Sequence, residues 1–244
     1  MTRAHYGRLL TEAYDLDKPE APPAMAAFYL SQVRAQSVEG PVLEAMCGSG
    51  RFLVPLLEAG IEVDGVDSSP DMLRAAQWRL RKRGLRASLV EQWLHALDLG
   101  RQYAFALCVA GSFGLVIGDD EVAASLRRLR EHLLPGGALL VETEAPRESR
   151  RGDGLWRGRT WPTHDGALLV ERAITTYDAA TQVETGVNIY ERWVEGALLA
   201  TELNDWACRF WVPEAFEAQL RAAGFANVEV AGRAVGVTAF VARA

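Results

Sequence analysis

Val42-Leu43-Glu44-Ala45-Met46-Cys47-Gly48-Ser49-Gly50-Arg51 is the stretch on which the fold turns. Pro41 opens a short apolar run, residues 42–46. Two glycines then lead into a segment with helical spacing, 51–59, that ends at Gly60. This is the signature of a strand, a tight turn and a helix. Residues 61–66 read as a second strand, followed by Asp67-Ser68-Ser69-Pro70. Ser69 is placed to cap the next helix and Pro70 suits its first position. That helix carries Met72, Leu73, Ala76 and Leu80 on one face and stops at Gly84. Downstream, strands are predicted over 87–91, 103–109 and 138–142. A helix spans 119–133 and Pro135-Gly136-Gly137 forms a turn. Upstream, residues 1–40 read as helical cover. A short mixed segment, 6–14, is interrupted by Asp15-Leu16-Asp17-Lys18-Pro19. A helix over 24–36 then places Met25, Phe28, Tyr29 and Val33 at helical spacing. Strand and helix alternate, so the fold class is α/β: a doubly wound, Rossmann-like, mostly parallel sheet.

From about residue 145 the pattern changes. Residues 147–158 are polar and glycine-rich and read as a loop. Residues 168–177 and 182–194 alternate residue by residue, with Asp178-Ala179-Ala180-Thr181 as the turn between them. Gly196 separates a third candidate strand, 198–210. These features predict an inserted antiparallel β meander. A helix over 213–223 and two short strands, 227–230 and 235–242, then complete a seven-stranded main sheet. The implied organisation is a cover over 1–40, an α/β core over 41–145, an antiparallel insertion over 146–212 and a return to the core over 213–244.

Bulk properties narrow the function classes. The chain has 244 residues, 49% of them apolar, and a formal net charge of −6. That balance argues against a nucleic-acid-binding surface, which needs clustered cations. The one basic run, Arg79-Leu80-Arg81-Lys82-Arg83, reads as a solvated helix end where cations suit the dipole. Cys47, Cys108 and Cys208 are far apart and form no paired motif, which fits a reducing compartment and no zinc site. No signal-peptide core and no membrane-length apolar run is present, so a cytoplasmic location without membrane attachment is expected. The histidines, His5, His95, His132 and His164, are scattered, and no metal-ligand spacing occurs.

The glycine turn marks a ligand site. Glycine permits a sharp turn and a close backbone approach, and in open α/β sheets ligands bind outside the carboxyl ends of the strands. A nicotinamide fingerprint needs a third small residue where Leu53 stands. Glu44 would also repel a pyrophosphate, whereas it suits a ligand that carries an ammonium group. Asp67, at the end of the second strand, is placed to accept hydrogen bonds from ribose hydroxyls.

Taken together, these residues resemble the class I S-adenosylmethionine-dependent methyltransferases, in particular their small-molecule branch. Residues 44–51 resemble the family's first motif and Asp67 its ribose acid. Phe105-Ala106-Leu107-Cys108-Val109-Ala110-Gly111-Ser112-Phe113-Gly114 resembles the fourth-strand motif, and Leu133-Leu134-Pro135-Gly136-Gly137 the turn before the fifth strand. The resemblance covers residues 38–145 well. It implies S-adenosylmethionine as cofactor, held by Glu44, Met46, Cys47, Gly48, Ser49, Gly50 and Asp67. Ser68 and Met72 would lie on one side of the adenine, and Gln92, Trp93 and Leu94 on the other, with Ala110 and Ser112 from the fourth-strand segment. Trp93 fits core packing as well as adenine contact. Met46 departs from the family, which has a glycine there; methionine permits an extended strand end, with the turn beginning at Cys47.

The implied reaction moves a methyl group to nitrogen or oxygen of a small-molecule acceptor. It needs proximity more than a fixed catalytic triad, so no catalytic residue is assigned. Tyr6 and Tyr14 are candidates to close over the methyl group, as a tyrosine near the N-terminus does in related enzymes, or to pack a helix on the core. Five of the seven tryptophans, Trp156, Trp161, Trp193, Trp206 and Trp211, fall in the insertion. They fit an acceptor lid, ordinary core packing or a homodimer surface, and Trp156 and Trp161 are the lid candidates. Two other classes stand beside the methyltransferase: a non-catalytic subunit of the same fold and a nicotinamide oxidoreductase.

Overall fold

The computed structural model describes residues 6–146, 154–234 and 236–244. Two helices, α1 (Arg8–Asp17) and α2 (Pro23–Arg34), precede the core. The core runs through β1 (Val42–Ala45), α3 (Leu53–Glu58), β2 (Val63–Asp67), α4 (Pro70–Lys82), β3 (Leu89–Glu91), β4 (Tyr103–Cys108), α5 (Asp119–Glu131) and β5 (Leu133–Glu144). Four antiparallel strands follow: β6 (Arg157–Pro162), β7 (Leu168–Asp178), β8 (Val183–Val194) and β9 (Ala197–Arg209). The chain then returns to the core with α6 (Pro213–Ala222), β10 (Ala226–Ala234) and β11 (Val237–Arg243).

The main sheet has the order β10-β11-β5-β4-β1-β2-β3. β1 pairs in parallel with both β2 and β4, while β11 is antiparallel to β5 and β10. The chain walks one way from β1 to β3 and the other way from β4 to β5. The reversal leaves a crevice beyond the carboxyl ends of β1 and β4, where an open α/β sheet places its ligand. Alternation along the strands builds two cores. Ala106, Cys108, Leu139 and Val141 face α5 and α6, meeting Leu126, Phe216 and Leu220. Phe105, Leu107, Ala138 and Leu140 face the other layer, meeting Tyr29, Leu53, Leu56 and Leu80. Ser69 caps α4 as expected, its hydroxyl accepting from the Met72 N–H.

The inserted meander forms its own four-stranded sheet, β6-β7-β8-β9. Its register puts Leu169, Glu171, Tyr190, Glu202 and Trp161 on one face. That face packs on α1, where Leu9, Leu10 and Ala13 join Leu169, Tyr190 and Met72 of α4 in a third cluster. Helix α1 is therefore a wedge between the two sheets.

Four local expectations need correction. Helix α1 continues through Asp15 to Asp17 instead of breaking there. The two acids are anchored: Asp15 accepts from Ser49 and Arg79, and Asp17 pairs with Arg159. Arg79 is not a solvated helix end. It is 6% exposed, and its guanidinium reaches the Ser49 and Pro19 carbonyls as well as Asp15. Strand β5 begins at Leu133, earlier than expected, because the Pro135-Gly136-Gly137 turn is absorbed as an irregularity in its pairing with β4. Residues 157 and 158 of the expected loop belong to β6, which pairs along its length with β7. Residues 147–153 of that loop, Val235 of the expected last strand, and His5 lie outside the described residues.

The start of α1 is capped from the meander. Glu202 of β9 accepts from the Leu9 N–H at 2.9 Å and the Leu10 N–H at 3.1 Å, the two amides an N-cap side chain would otherwise serve. Its negative charge also suits the helix N-terminus. Glu202→Ala should therefore lower stability by roughly 0.5–2 kcal/mol in urea denaturation. It should also raise amide exchange across residues 8–14 before any other segment.

Candidate functional site

The crevice at the strand-order reversal is lined by the turn after β1, the end of β2, the turn after β4 and the end of β5. Residues 46–50 form the first turn. Met46 takes φ 58°, Gly48 φ 54° and Gly50 φ 75°. The turn thus begins at Met46 and not at Cys47, and Met46 is not an extended strand end. It adopts the left-handed conformation that a glycine would take, at roughly 1–2 kcal/mol for an L-residue. Its side chain compensates by packing into the core beside Cys108, sulfur to sulfur at 3.8 Å. Gly50 is required for a second reason: a Cβ there would lie 3.1 Å from the Ala76 Cβ on α4.

Asp67 ties this turn to the next. One carboxylate oxygen accepts from the Gly48 N–H at 2.8 Å and the other from the Ser69 N–H at 2.9 Å. Ser49 is 1% exposed, and its hydroxyl donates to Asp15 at 2.6 Å. Its side chain is thus committed to α1, leaving its backbone to any ligand. Cys47 is buried beneath the turn, and burial pushes its thiol well up.

Two atoms on either side of this turn stand out. Glu44 is 2% exposed, and its Oε2 is buried with no hydrogen-bond partner; the Nε of Arg51 is in the same condition. Burial, with the nearby charge of Asp67, pushes the Glu44 carboxyl up to about 8, while Arg51 pulls the other way. Buried polar atoms are rarely left unpaired in folded proteins. A buried carboxyl oxygen and a buried guanidinium N–H flanking one turn have the donor and acceptor character to meet the ammonium and carboxylate of an amino acid. The residues present therefore fit the methionine part of S-adenosylmethionine.

Tyr14 of α1 stands over the turn. The Arg51 guanidinium carbon is 5.8 Å from its ring centroid and the Lys18 Nζ 4.9 Å. Burial raises the Tyr14 hydroxyl, which Arg51 offsets. Tyr6 lies in the same cluster, and burial, with Tyr14, Asp67 and Cys208 near it, pushes its hydroxyl strongly up. The Tyr6 carbonyl accepts from the Ser69 hydroxyl. Trp161 joins this cluster beneath Arg159, 4.9 Å from its ring. Trp156 is 54% exposed and does not join it.

On the other flank, Ser68 is half-buried beside Asp67. Met72 is buried between α4 and α1, its sulfur 3.8 Å from the place a Gly48 Cβ would occupy. The Gln92 N–H donates to the Asp67 carbonyl, and its side chain closes the following loop through both the N–H and the carbonyl of Asp98. Gln92 thus offers backbone more than side chain. Trp93 leans on His95, ring centroids 6.2 Å apart, and Leu94 is buried in the core. Ala110 and Ser112 follow β4, whose last residue, Cys108, touches Met46.

Sequence reasoning missed Arg51, Glu142 and Tyr29. Glu142 is 6% exposed near the carboxyl end of β5 and accepts from the Tyr29 hydroxyl and the Ala110 N–H. An acid ending the apolar run Ala138-Leu139-Leu140-Val141 was the available signal. The described histidines lie elsewhere. His132 bonds the Arg128 carbonyl and the Leu99 N–H, His95 leans on Trp93, and His164 is exposed between β6 and β7. Among the described residues no cluster could hold a metal ion, and no helix is long and apolar enough to cross a membrane.

Comparison with known proteins bears on this geometry. Residues 42–137 match a methyltransferase domain family. A dTDP-3-amino-3,6-dideoxy-alpha-D-glucopyranose N,N-dimethyltransferase of Streptomyces fradiae is 32% identical over 57% of this chain and 55% of its own length. The chain thus spans little more than half of that relative. The structure of the CcbJ methyltransferase from Streptomyces caelestis superposes with a TM-score of 0.74 at 25% identity, covering 100% of this chain and 99% of that one. A sugar N-methyltransferase from Streptoalloteichus sp shares the fold, with a TM-score of 0.77 at 21% identity over 95% of this chain and 91% of its own. The domain match falls on the same strands and turns that build the crevice: residues 42–137 are similar to a methyltransferase domain, and the whole chain shares the fold of solved S-adenosylmethionine-dependent methyltransferases.

Proposed function

We propose that the chain moves a methyl group from S-adenosylmethionine to a nitrogen of a small molecule, with an amino sugar as the acceptor class. The unpaired Glu44 Oε2 and Arg51 Nε, on either side of the 46–50 turn, carry the cofactor half of this reading. When bound, S-adenosylmethionine supplies its methyl group on an electrophilic sulfonium. Glu44 would accept from the ammonium of the methionine part and Arg51 would donate to its carboxylate. A carboxylate offers about four lone-pair sites, so Asp67 keeps capacity for ribose after serving Gly48 and Ser69. Met72 and Ser68 would border the adenine on one side, and the Gln92 backbone, Trp93 and Leu94 on the other. Ala110 and Ser112 would close the cofactor from the β4 side.

Tyr6 and Tyr14 support an acceptor placed between α1 and the turn, with Trp161 behind them. Glu144, at the end of β5, is near enough to act on Lys18 at the end of α1, so the lining is acidic and aromatic. Such a lining suits a cationic or amine acceptor. Relatives named as sugar N,N-dimethyltransferases and as an N-terminal methyltransferase favour nitrogen over oxygen. The chain's own contribution is proximity and orientation, with a base needed only where the acceptor must lose a proton. A nicotinamide cofactor is disfavoured because the buried Glu44 would face its pyrophosphate. A non-catalytic role is disfavoured because Met46, the departure from the family, adopts the turn that the family's glycine would adopt. We assign residues 1–40 and 146–212 to the acceptor side and residues 41–145 and 213–244 to the cofactor core. The three scattered thiols support a cytoplasmic setting.

Calorimetry with S-adenosylhomocysteine should show saturable binding. Asp67→Ala and Gly48→Val should each weaken it about tenfold or more, the latter because a β-branched residue resists positive φ. Unchanged affinity in both variants would remove the crevice from the reaction. Binding should also depend on pH through Glu44. The ammonium needs the charged carboxylate, so affinity should rise toward pH 8 and fall by up to about tenfold per unit below it. Glu44→Gln should lower the affinity and flatten the profile. The sign for the ligand-free fold is opposite. An unfolded carboxyl ionises near its ordinary value while the folded one stays protonated. The Glu44 contribution to stability is therefore lost as pH rises toward 8, which thermal melts across that range should show.

A further inference from the structure

The turn after β4 is held in a conformation its sequence does not favour. Ala110 and Gly111 both take positive φ, 57° and 74°. For alanine this region costs roughly 1–2 kcal/mol, so a specific contact must hold it. That contact is Glu142. Its Oε2 accepts from the Ala110 N–H at 2.7 Å and from the Tyr29 hydroxyl at 2.8 Å. The acceptor is fixed from behind: Glu142 is 6% exposed on β5, and Tyr29, its second donor, is 1% exposed on α2. Hydrogen bonds to a carboxylate are roughly twice as strong as neutral ones. Two of them to one buried oxygen make a rigid post. Gly111 is then boxed in, because a Cβ there would lie 3.0 Å from the Glu144 Oε1.

The turn sits where the two halves of the molecule meet. On one side Cys108 touches Met46 of the cofactor turn. On the other, a single turn of 3-10 helix, Ser112–Leu115, carries Gly114 against Cys208 and Arg209 of β9. A shift of Ala110 would therefore move backbone on both flanks.

We infer that Glu142 is a positioning residue of this site: anchored by Tyr29, it holds Ala110 in the left-handed conformation and so sets the Ala110–Ser112 backbone against the cofactor. Its link to methyl transfer rests on the function proposed above, whereas the constraint on Ala110 is a property of the protein alone.

Glu142→Gln keeps the shape of the side chain and removes its charge. Hydrogen exchange should show the Ala110 amide losing about tenfold of its protection, the equivalent of the strain that Glu142 offsets. Calorimetry should show S-adenosylhomocysteine affinity falling by a similar factor. Under turnover, KM for the cofactor should rise more than kcat falls. Adding Ala110→Gly should recover most of that affinity, because glycine holds positive φ without a carboxylate. Tyr29→Phe should give a smaller loss in the same direction, and it replaces Glu142→Gln if that variant does not fold. Unchanged exchange at Ala110 overturns the inference, as does affinity that Ala110→Gly does not recover. If the wild-type protein fails to bind S-adenosylhomocysteine, the proposed function falls. Exchange at Ala110 then still decides the constraint.

Discussion

Asp67 accepts the Gly48 N–H through one oxygen and the Ser69 N–H through the other, and most of the site follows from that bridge. The two amides belong to turns that leave adjacent parallel strands, 19 residues apart for the longer contact. Each turn alone is a short, glycine- or serine-bearing segment with several conformations open to it. Joined through one charged acceptor, they have a common reference point, and such bonds are short and strong. The first turn then has to accept Met46 at positive φ, because the chain must reach the Asp67 oxygen within two residues. The second has to start α4 at Pro70, where the Ser69 hydroxyl already serves the Met72 N–H.

A second set of contacts ties this bridge to the rest of the chain. Arg79 of α4 holds Asp15 of α1 and the Ser49 carbonyl of the turn, while Ser49 itself bonds Asp15. From the far side, Glu202 caps α1, Arg192 pairs with Glu12 and Arg159 with Asp17. Helix α1 is short and exposes little apolar surface of its own, so it would be marginal in isolation. It persists because both sheets grip it. The 46–50 turn and the meander are thus mechanically linked through the element that carries Tyr14, with Tyr6 just ahead of it.

The doubly wound half of this fold was legible because period and punctuation coincide there. Ser69-Pro70, Gly60 and Gly84 mark boundaries that the strands and helices then respect. What stayed illegible depended on partners far along the chain. Asp15 and Asp17 look like a loop until Arg79, 64 residues away, and Arg159 neutralise them. Arg79 looks like one cation in a solvated run until Asp15 and Ser49 enclose it. Arg157-Gly158-Arg159-Thr160-Trp161-Pro162 shows no alternation, and it becomes a strand by pairing with β7 and through the Arg159–Glu171 contact. Glu44, Gly48, Gly50 and Asp67, the positions proposed for the cofactor, stand out in the sequence by their spacing. The conformation of Met46 does not, since it is set by a hydrogen bond one turn away.

Three carboxylates, Glu44, Asp67 and Glu142, crowd the carboxyl ends of the strands, and the structure treats each differently. Asp67 is satisfied by two backbone amides. Glu142 is satisfied by a tyrosine and an amide. Glu44 alone keeps a buried oxygen without a partner, and Arg51 keeps a buried nitrogen in the same state. Arg51 is close enough to pull on the Glu44 carboxyl, yet neither atom satisfies the other. A direct bond between those two atoms would have removed both penalties and left a neutral, closed turn with little to offer a ligand. Buried unpaired groups cost about 1–3 kcal/mol each, a cost that a zwitterion carrying one ammonium and one carboxylate can remove at both ends at once. In the proposed reading, the cost of leaving these two atoms unpaired is a part of the affinity for such a zwitterion, and it favours a ligand with both charges.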